Sequence, residues 1–528
     1  MTLMTPSSSH LIGIDLGTSA VKVVVVDEQG TVKASGSAEY PVLHPRMDWA
    51  EQDPDAWWHA TVAALQQALG WAGGGVNVRA IGFSGQMHGV TFLGEGERSL
   101  YPAIIWADQR SERQARAFTE KVGAERLIGI AGSPVAAGFM AATVGWMQEE
   151  KASIWWRTRH LLSPKDELRR RLTGAIATDA GDGAATLLFD GRWRNWSPQL
   201  LDAAEVPSAL MPQVRPSAAA AGELTPAAAE ATGLAPQTLV VTGTADTAAS
   251  LLGAGIVDSE TLLVSLSTGA QVMTPSDEFL PDPSGRTHTF CSALEPGTGS
   301  PGWYQMGATL AAGMAMRWLR DEMLRLPAAG AYERMTAMAE RAPIGARGAL
   351  FLPYLVGERT PHMDAAARGA FLGLTAQHDA GDLVRAVMEG VTLAIHDAYA
   401  VLRETGAAPQ RIVMAGGGAR SPLWRQMVAD VFGLPVFALA TVDQAAMGAA
   451  LLAGAGAGMF APVEASQRWA HYGARSDPDA IRHDRYQELS EIFRDAFNPV
   501  AGVSHRLGAW ARAGEAPRVI PRTIRKSP

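Results

Sequence analysis

A β-branched run broken by a short loop of small residues constrains this chain most, because it occurs twice. Leu11-Ile12-Gly13-Ile14 leads into Asp15-Leu16-Gly17-Thr18-Ser19, and a second apolar run resumes over 21–26. Asp27-Glu28-Gln29-Gly30 then reads as a turn, with a third strand from Thr31 onward. Far downstream, Thr261-Leu262-Leu263-Val264-Ser265 meets Leu266-Ser267-Thr268-Gly269, and Gln271-Val272-Met273 resumes. These strand–loop–strand units read as one device opening two similar halves. Length agrees: 528 residues exceed the roughly 250–300 at which a single core stops growing.

A third strand, Arg411-Ile412-Val413-Met414, runs into Ala415-Gly416-Gly417-Gly418. A helix should follow, with Ser421 as its N-cap, Pro422 in the first turn and Gly433 past its end. Leu423, Met427, Val428 and Val431 would share its buried face. A strand, a glycine loop and a capped helix in that order predict a ligand held close over the loop. Further helices are expected over 54–69, 111–130, 308–326 and 379–404, and strands alternating with helices argue for the α/β class. The Ala/Pro-rich segment 207–221 reads as a surface connection and the basic segment 518–526 as a solvated tail.

Charge narrows the partners. With 45 basic and 53 acidic residues the formal charge is −8, a field that disfavours nucleic acid and anionic membrane. The longest apolar stretch, 445–461, is mostly Ala and Gly and reads as a packed core helix rather than a membrane span. The polar opening to Ser9 does not read as a signal peptide. Cys291 is the only cysteine, so no intramolecular disulfide forms; it reads as a small core side chain.

Phosphate is bound by backbone N–H groups that converge in tight turns of small residues. Loop 15–19 supplies such a turn, two hydroxyl donors and, in Asp15, a carboxylate able to hold the water shell of magnesium. Taken singly, it could equally be an ordinary hairpin turn, as could Ser267-Thr268-Gly269. Two such hairpins plus the glycine loop suggest a two-domain ATP-binding cleft resembling sugar kinases, actin and Hsp70, and no Walker A pattern offers another phosphate site. Phosphoryl transfer to an alcohol also needs a carboxylate that takes the hydroxyl proton. Asp246 follows the strand Leu239-Val240-Val241 among small residues, where it fits either that base or a helix N-cap.

Four longer motifs stand out: Ser84-Gly85-Gln86-Met87-His88-Gly89, Trp49-Ala50-Glu51-Gln52-Asp53-Pro54 with Trp57-Trp58, Ser163-Pro164-Lys165-Asp166-Glu167-Leu168-Arg169, and Phe351 through His362. They resemble the FGGY carbohydrate kinases and, within them, the xylulokinases. They occur in the family's order between about Leu11 and Gly454. The resemblance implies two ribonuclease H-like α/β domains of the actin, Hsp70 and sugar kinase type around a central cleft. It puts an N-terminal domain at 11–254, a C-terminal domain at 255–500, and tails at 1–10 and 501–528.

By the same resemblance Asp246 is the catalytic base, Asp15 holds Mg²⁺ through water, and Met87, His88 and Thr247 join Asp246 around the sugar. Thr18, Ser19 and Thr268 lie at the ATP phosphates, Gly313 nearby, and Gly417 and Gly418 beside the adenosine. Asp108 and Arg110 are either sugar contacts or first-turn helix charges, and Glu358 with Arg359 reads as a structural ion pair, with ligand contact as the alternative. The expected activity is ATP-dependent phosphorylation of D-xylulose in the cytoplasm, with sugar and ATP as partners and a homodimer left open. Three departures from the family pattern bear on it: Thr247 and Ala107 each stand where Asn is common, and Ser267 where Gly is common. They leave open another sugar or polyol of the family (ribulose, gluconate), or a sugar-sensing pseudokinase.

Overall fold

The computed structural model describes residues 9–72, 77–441 and 443–514. The opening to residue 8 and the basic segment 518–526 lie outside them. Among the described residues no helix is long and apolar enough to cross a membrane.

Two seven-stranded sheets carry the molecule. The first contains β1 (Ser9–Leu16), β2 (Ala20–Asp27), β3 (Val32–Glu39), β4 (Asn77–Gly85), β5 (Ala220–Glu223), β6 (Leu239–Val241) and β7 (Thr244–Ala245). Its order is β5-β6-β4-β1-β2-β3, with β7 also on β4. The second contains β8 (Thr261–Leu266), β9 (Ala270–Ser276), β10 (His288–Cys291), β11 (Trp303–Thr309), β12 (Arg411–Gly416), β13 (Val436–Leu439) and β14 (Tyr472–Ser476), in the order β10-β11-β9-β8-β12-β13-β14.

The two sheets share one plan. In each, an antiparallel hairpin is flanked on one side by a further antiparallel strand and on the other by two parallel strands, then an antiparallel edge. Asp15 pairs with Lys22 and Ser84 in the first sheet; Ser265 pairs with Gln271 and Ala415 in the second. The expectation of a repeated device is met across whole sheets.

Helix α1 (Pro54–Trp71) covers β2 and β3, and α2 (Asp246–Gly253) leaves the end of β7. The second half contributes α3 (Gly313–Trp318), α4 (Ala380–Glu404), α5 (Pro422–Phe432), α6 (Gln444–Gly456) and α7 (Ala480–Gly514). α4 opens with a capping box, Asp379 accepting from Gly381 and Asp382 while the Asp382 side chain accepts from the Asp379 N–H. α5 has the expected ends, Ser421 accepting from the Trp424 N–H and Gly433 in the left-handed conformation at φ 68°. α6, the Ala/Gly stretch, lies between the halves against β1, β4 and α2. A Cβ on Gly13 would stand 1.8 Å from the Ala446 carbonyl oxygen, so glycine sets how closely helix and sheet approach.

Four expectations are corrected. Segment 111–130 is two helices, Glu112–Val122 and Ala124–Ala131, broken at Gly123 with φ 88°. Ala308 and Thr309 belong to β11, because its pairing with β9 runs the full length from Trp303 to Thr309; helix starts only at Gly313. Segment 207–221 is not a plain surface connection: Ser217 is buried and donates to Asp179, and Ala220–Glu223 forms a sheet edge. The chain from 501 to 514 continues α7, where Ser504 is buried and His505 pairs with Asp364.

Candidate active site

Three strands of the first sheet end together. β4 lies between β1 and β7, so Asp15 and Thr244 both pair with Ser84. Ser84 donates to Asp15 at 2.6 Å, and Asp246 opens α2 directly after β7 as its first residue, with Ala245 in the N-cap position. Asp246 is therefore not the helix N-cap.

Asp15 and Asp246 face one cavity of about 260 Å³, walled by both halves. The first half supplies Lys22, Thr247 and Ser250; the second supplies Ser265, Gln271, Ala415 and Asp443. Burial, then the Asp15 charge, pushes the Asp246 carboxyl up to about 7, while the Thr247 N–H opposes this. Asp15 is raised chiefly by burial, against the Ser84 hydrogen bond. Lys22 reaches Asp443 at 2.8 Å. A larger cavity of about 780 Å³, between Asp53, Glu97, Tyr101 and Arg171, includes none of the expected site residues.

The first hairpin loop is held by its carbonyls. Tyr40 Oη donates to the Gly17 oxygen, and Gln52 Nε2 donates to the Thr18 oxygen at 2.6 Å. Gln86 Nε2 reaches the Gly17 oxygen and Gln52 Oε1, and Trp106 Nε1 donates to Thr18 Oγ1 at 3.0 Å. An indole nitrogen only donates, so the Thr18 hydroxyl proton stays free for another acceptor. Among the described residues the Thr18 and Ser19 amides donate to no carbonyl.

The second loop has the same outcome by another route. The Ala312 and Met314 amides donate to the Thr268 oxygen, and the Gly313 amide donates to the Ser267 oxygen at 2.8 Å. Its Thr268 and Gly269 amides likewise donate to no carbonyl among the described residues. Gly416, at φ 83°, and Gly418 both approach Leu266 closely, so the glycine loop lies beside this hairpin. Thr268, Gly313, Gly417 and Gly418 thus gather on the second half, with Thr18 and Ser19 on the first; none of the six walls the 260 Å³ cavity.

The Thr247 hydroxyl is engaged by Met87 Sδ at 3.1 Å and by the Tyr304 hydroxyl, which ties Met87 to the cavity wall. His88 stacks on Phe139 at 3.8 Å, and its Nδ1 lies 2.7 Å from the Ala185 oxygen. A carbonyl only accepts, so Nδ1 carries the proton and Nε2 is left as an acceptor. Burial lowers this imidazole to about 4 and keeps it neutral.

Behind Asp246, Lys165 Nζ lies 2.8 Å from Asp166, 3.3 Å from Asp179 and 3.2 Å from Asp182, all fully buried. Lys165 and Arg169 both donate to the Thr242 oxygen and so brace the turn that leads to Asp246. The expected Glu358–Arg359 ion pair is absent: Glu358 Oε1 accepts from the Leu310 and Arg359 amides instead. Arg110 turns to Asp108 and Glu51 and lies 3.6 Å over the Trp49 ring, so Asp108 and Arg110 form a buried ion pair ahead of the helix at Glu112. Sequence reasoning missed Tyr40, Trp106 and Tyr304, whose partners are remote in sequence; Gln52 and Gln86 stood inside the motifs that carry the family resemblance, with no role assigned to them.

Known proteins match along nearly the whole chain. Residues 10–253 match the N-terminal domain of the FGGY family of carbohydrate kinases and residues 262–457 its C-terminal domain. The xylulose kinase of Escherichia coli (strain K12) is 38% identical over 493 residues, 92% of this chain and 97% of that protein. The xylulose kinase of Bacillus subtilis (strain 168) is 34% identical over 509 residues, 95% of this chain and 99% of that protein. A gluconokinase of Bacillus subtilis (strain 168) is 28% identical over 498 residues, 92% of this chain and 95% of that protein. The crystal structure of a xyloylose kinase from Brucella ovis has a TM-score of 0.86 at 32% identity, covering 94% of this chain and 100% of that one. With one sheet plan repeated around a carboxylate-lined cavity, and matches that span both repeats, the chain belongs to the FGGY family of carbohydrate kinases.

Proposed function

We propose that the chain catalyses ATP-dependent phosphorylation of D-xylulose to D-xylulose 5-phosphate, with Asp246 as general base. One observation carries this reading: Asp246 stands at a strand end, as the first residue of α2, in a cavity walled by both halves, with its carboxyl near 7. A base poised there can take a hydroxyl proton at neutral pH. Asp246 accepts the proton of the sugar's terminal primary hydroxyl as that oxygen attacks the γ-phosphate of ATP in line, and the bond from the γ-phosphorus to the β–γ bridging oxygen breaks to release ADP. The free amides of Thr18 and Ser19, and of Thr268 and Gly269, are suited to phosphate oxygens. Gly313 would lie near the phosphates, with Gly417 and Gly418 beside the adenosine. Met87 and His88 orient the ketose, with His88 Nε2 as an acceptor for one of its hydroxyls.

The residues fit hydrated magnesium. Asp15 has one carboxylate oxygen engaged by Ser84, and Lys22 in the cavity wall is paired with Asp443. A cation held through water at Asp15 would offset charge on the phosphates. We take 11–254 as the sugar-binding unit with the first loop and the base, and 255–500 as the unit with the second loop and the glycine loop. Dependence on ATP and a single buried cysteine support a cytoplasmic setting.

A second reading, another sugar or polyol of the family, rests on Thr247, whose hydroxyl is already engaged by Met87 and Tyr304 rather than free for a sugar. A panel of D-xylulose, ribulose, gluconate and polyols in a coupled ADP-release assay separates the two. Release fastest with D-xylulose is expected; faster release with another member reassigns the substrate, and none with any of them refutes a catalytic role.

A further inference from the structure

We infer that Glu358 is a positioning residue for the second hairpin loop, acting through Leu310. The inference rests on the reading of that loop as a phosphate site. Glu358 is 2% exposed, and its carboxylate spends one oxygen on two backbone donors, the Leu310 amide at 2.9 Å and the Arg359 amide at 2.7 Å. Its other oxygen, Oε2, is buried with no hydrogen-bond partner among the described residues. Burial raises this carboxyl to about 7, with the two amides and then the Arg359 charge opposing. A buried polar side chain held in so unfavourable a setting is expected where its geometry serves a site.

What the carboxylate holds is the connection from β11 to α3. Leu310 begins that connection, and its next residues tie off the second loop, through the amides of Ala312, Gly313 and Met314 on the carbonyls of Ser267 and Thr268. The contact is tight at its start as well. A Cβ on Gly269 would lie 2.5 Å from the Thr309 oxygen and 3.2 Å from the Leu310 oxygen. A shift of Leu310 therefore moves the loop whose free amides face the nucleotide. Glu358 acts through one acceptor atom, Oε1; its charge is not what the Leu310 amide requires, so a neutral carbonyl oxygen in the same place should serve.

The test compares Glu358→Ala, Glu358→Gln and Gly269→Ala by ADP binding in calorimetry, by KM for ATP and for the sugar, and by thermal unfolding. Glu358→Ala should weaken ADP binding and raise KM for ATP by about tenfold, with KM for the sugar moved less than about twofold. Glu358→Gln, which keeps the acceptor, should restore most of the nucleotide affinity. Unchanged ADP affinity in a folded Glu358→Ala protein overturns the inference. So does a Glu358→Gln protein as impaired as Glu358→Ala, or equal loss for both substrates. Gly269→Ala separates the two levels: if it leaves ADP binding intact, the phosphate-loop reading fails; if it weakens binding while Glu358→Ala does not, only the role of Glu358 fails.

Discussion

The two hairpin loops occupy the same place in two sheets of the same plan, yet they are held in different ways. In the first, two of the loop carbonyls are tied off by side chains, Tyr40 and Gln86 on Gly17 and Gln52 on Thr18. The Ser19 oxygen takes a main-chain amide, that of Tyr40. In the second, the matching work is done by main-chain amides of Ala312, Gly313 and Met314. The chemistry divides likewise. At one register the first sheet has Asp15 beside Ser84, while the second has Ser265 beside Ala415. A loop held by side chains can be tuned one residue at a time; a loop held by the main chain tolerates sequence change but depends on where its neighbouring segment sits.

This contrast can be broken at several points. Asp246→Ala removes the proposed base of the first half and should lower kcat by about three orders of magnitude, with sugar binding retained in calorimetry. Near-normal ADP release would refute Asp246 as base. Acid should have a comparable effect on the intact enzyme. Because the carboxyl is raised to about 7, it is protonated below that pH and cannot accept a proton, so kcat/KM for the sugar should fall about tenfold per unit below pH 7 and level off above it. A limb near pH 4 would show that burial and Asp15 leave the group unperturbed.

Smaller effects sharpen the comparison. Lys165→Met strips the cation from three buried carboxylates and should cost about 3 kcal/mol of stability, read as a lowered Tm. An unchanged Tm would mean that Lys165 adds no net stability to this cluster. Gln52→Ala takes away the donor to the Thr18 oxygen and the acceptor for Gln86, and should raise KM for ATP about fivefold. Met314→Leu alters only a side chain where the loop is held by the amide, so KM for ATP should stay within about twofold. A larger loss for Met314→Leu than for Gln52→Ala would overturn the contrast.

Local chemistry explains what could be read in advance. The two hairpins, the Ser421-Pro422 start and Gly433 stop of α5, and the packed Ala/Gly helix each follow from residues close together in the chain. Asp246 was legible as a carboxylate at a strand end, but whether it capped the helix was not, since both roles use the same residue at the same place. Helix was expected over 308–326, and it failed at Ala308 and Thr309 because the ladder to β9 reaches them.

By itself the sequence determined that two strand–loop–strand units open two halves, and which small residues stand at their tips, because turn chemistry and β-branched runs act over a few residues. Tertiary structure alone decided which side chains hold the first loop, that Thr247 faces Met87 and Tyr304, and that Glu358 turns to Leu310 instead of pairing with Arg359. Those outcomes depend on hydrogen-bond partners tens to hundreds of residues apart or on a buried polar group's choice between neighbours. Only the packed chain sets such distances, and at them a single donor or acceptor decides the geometry.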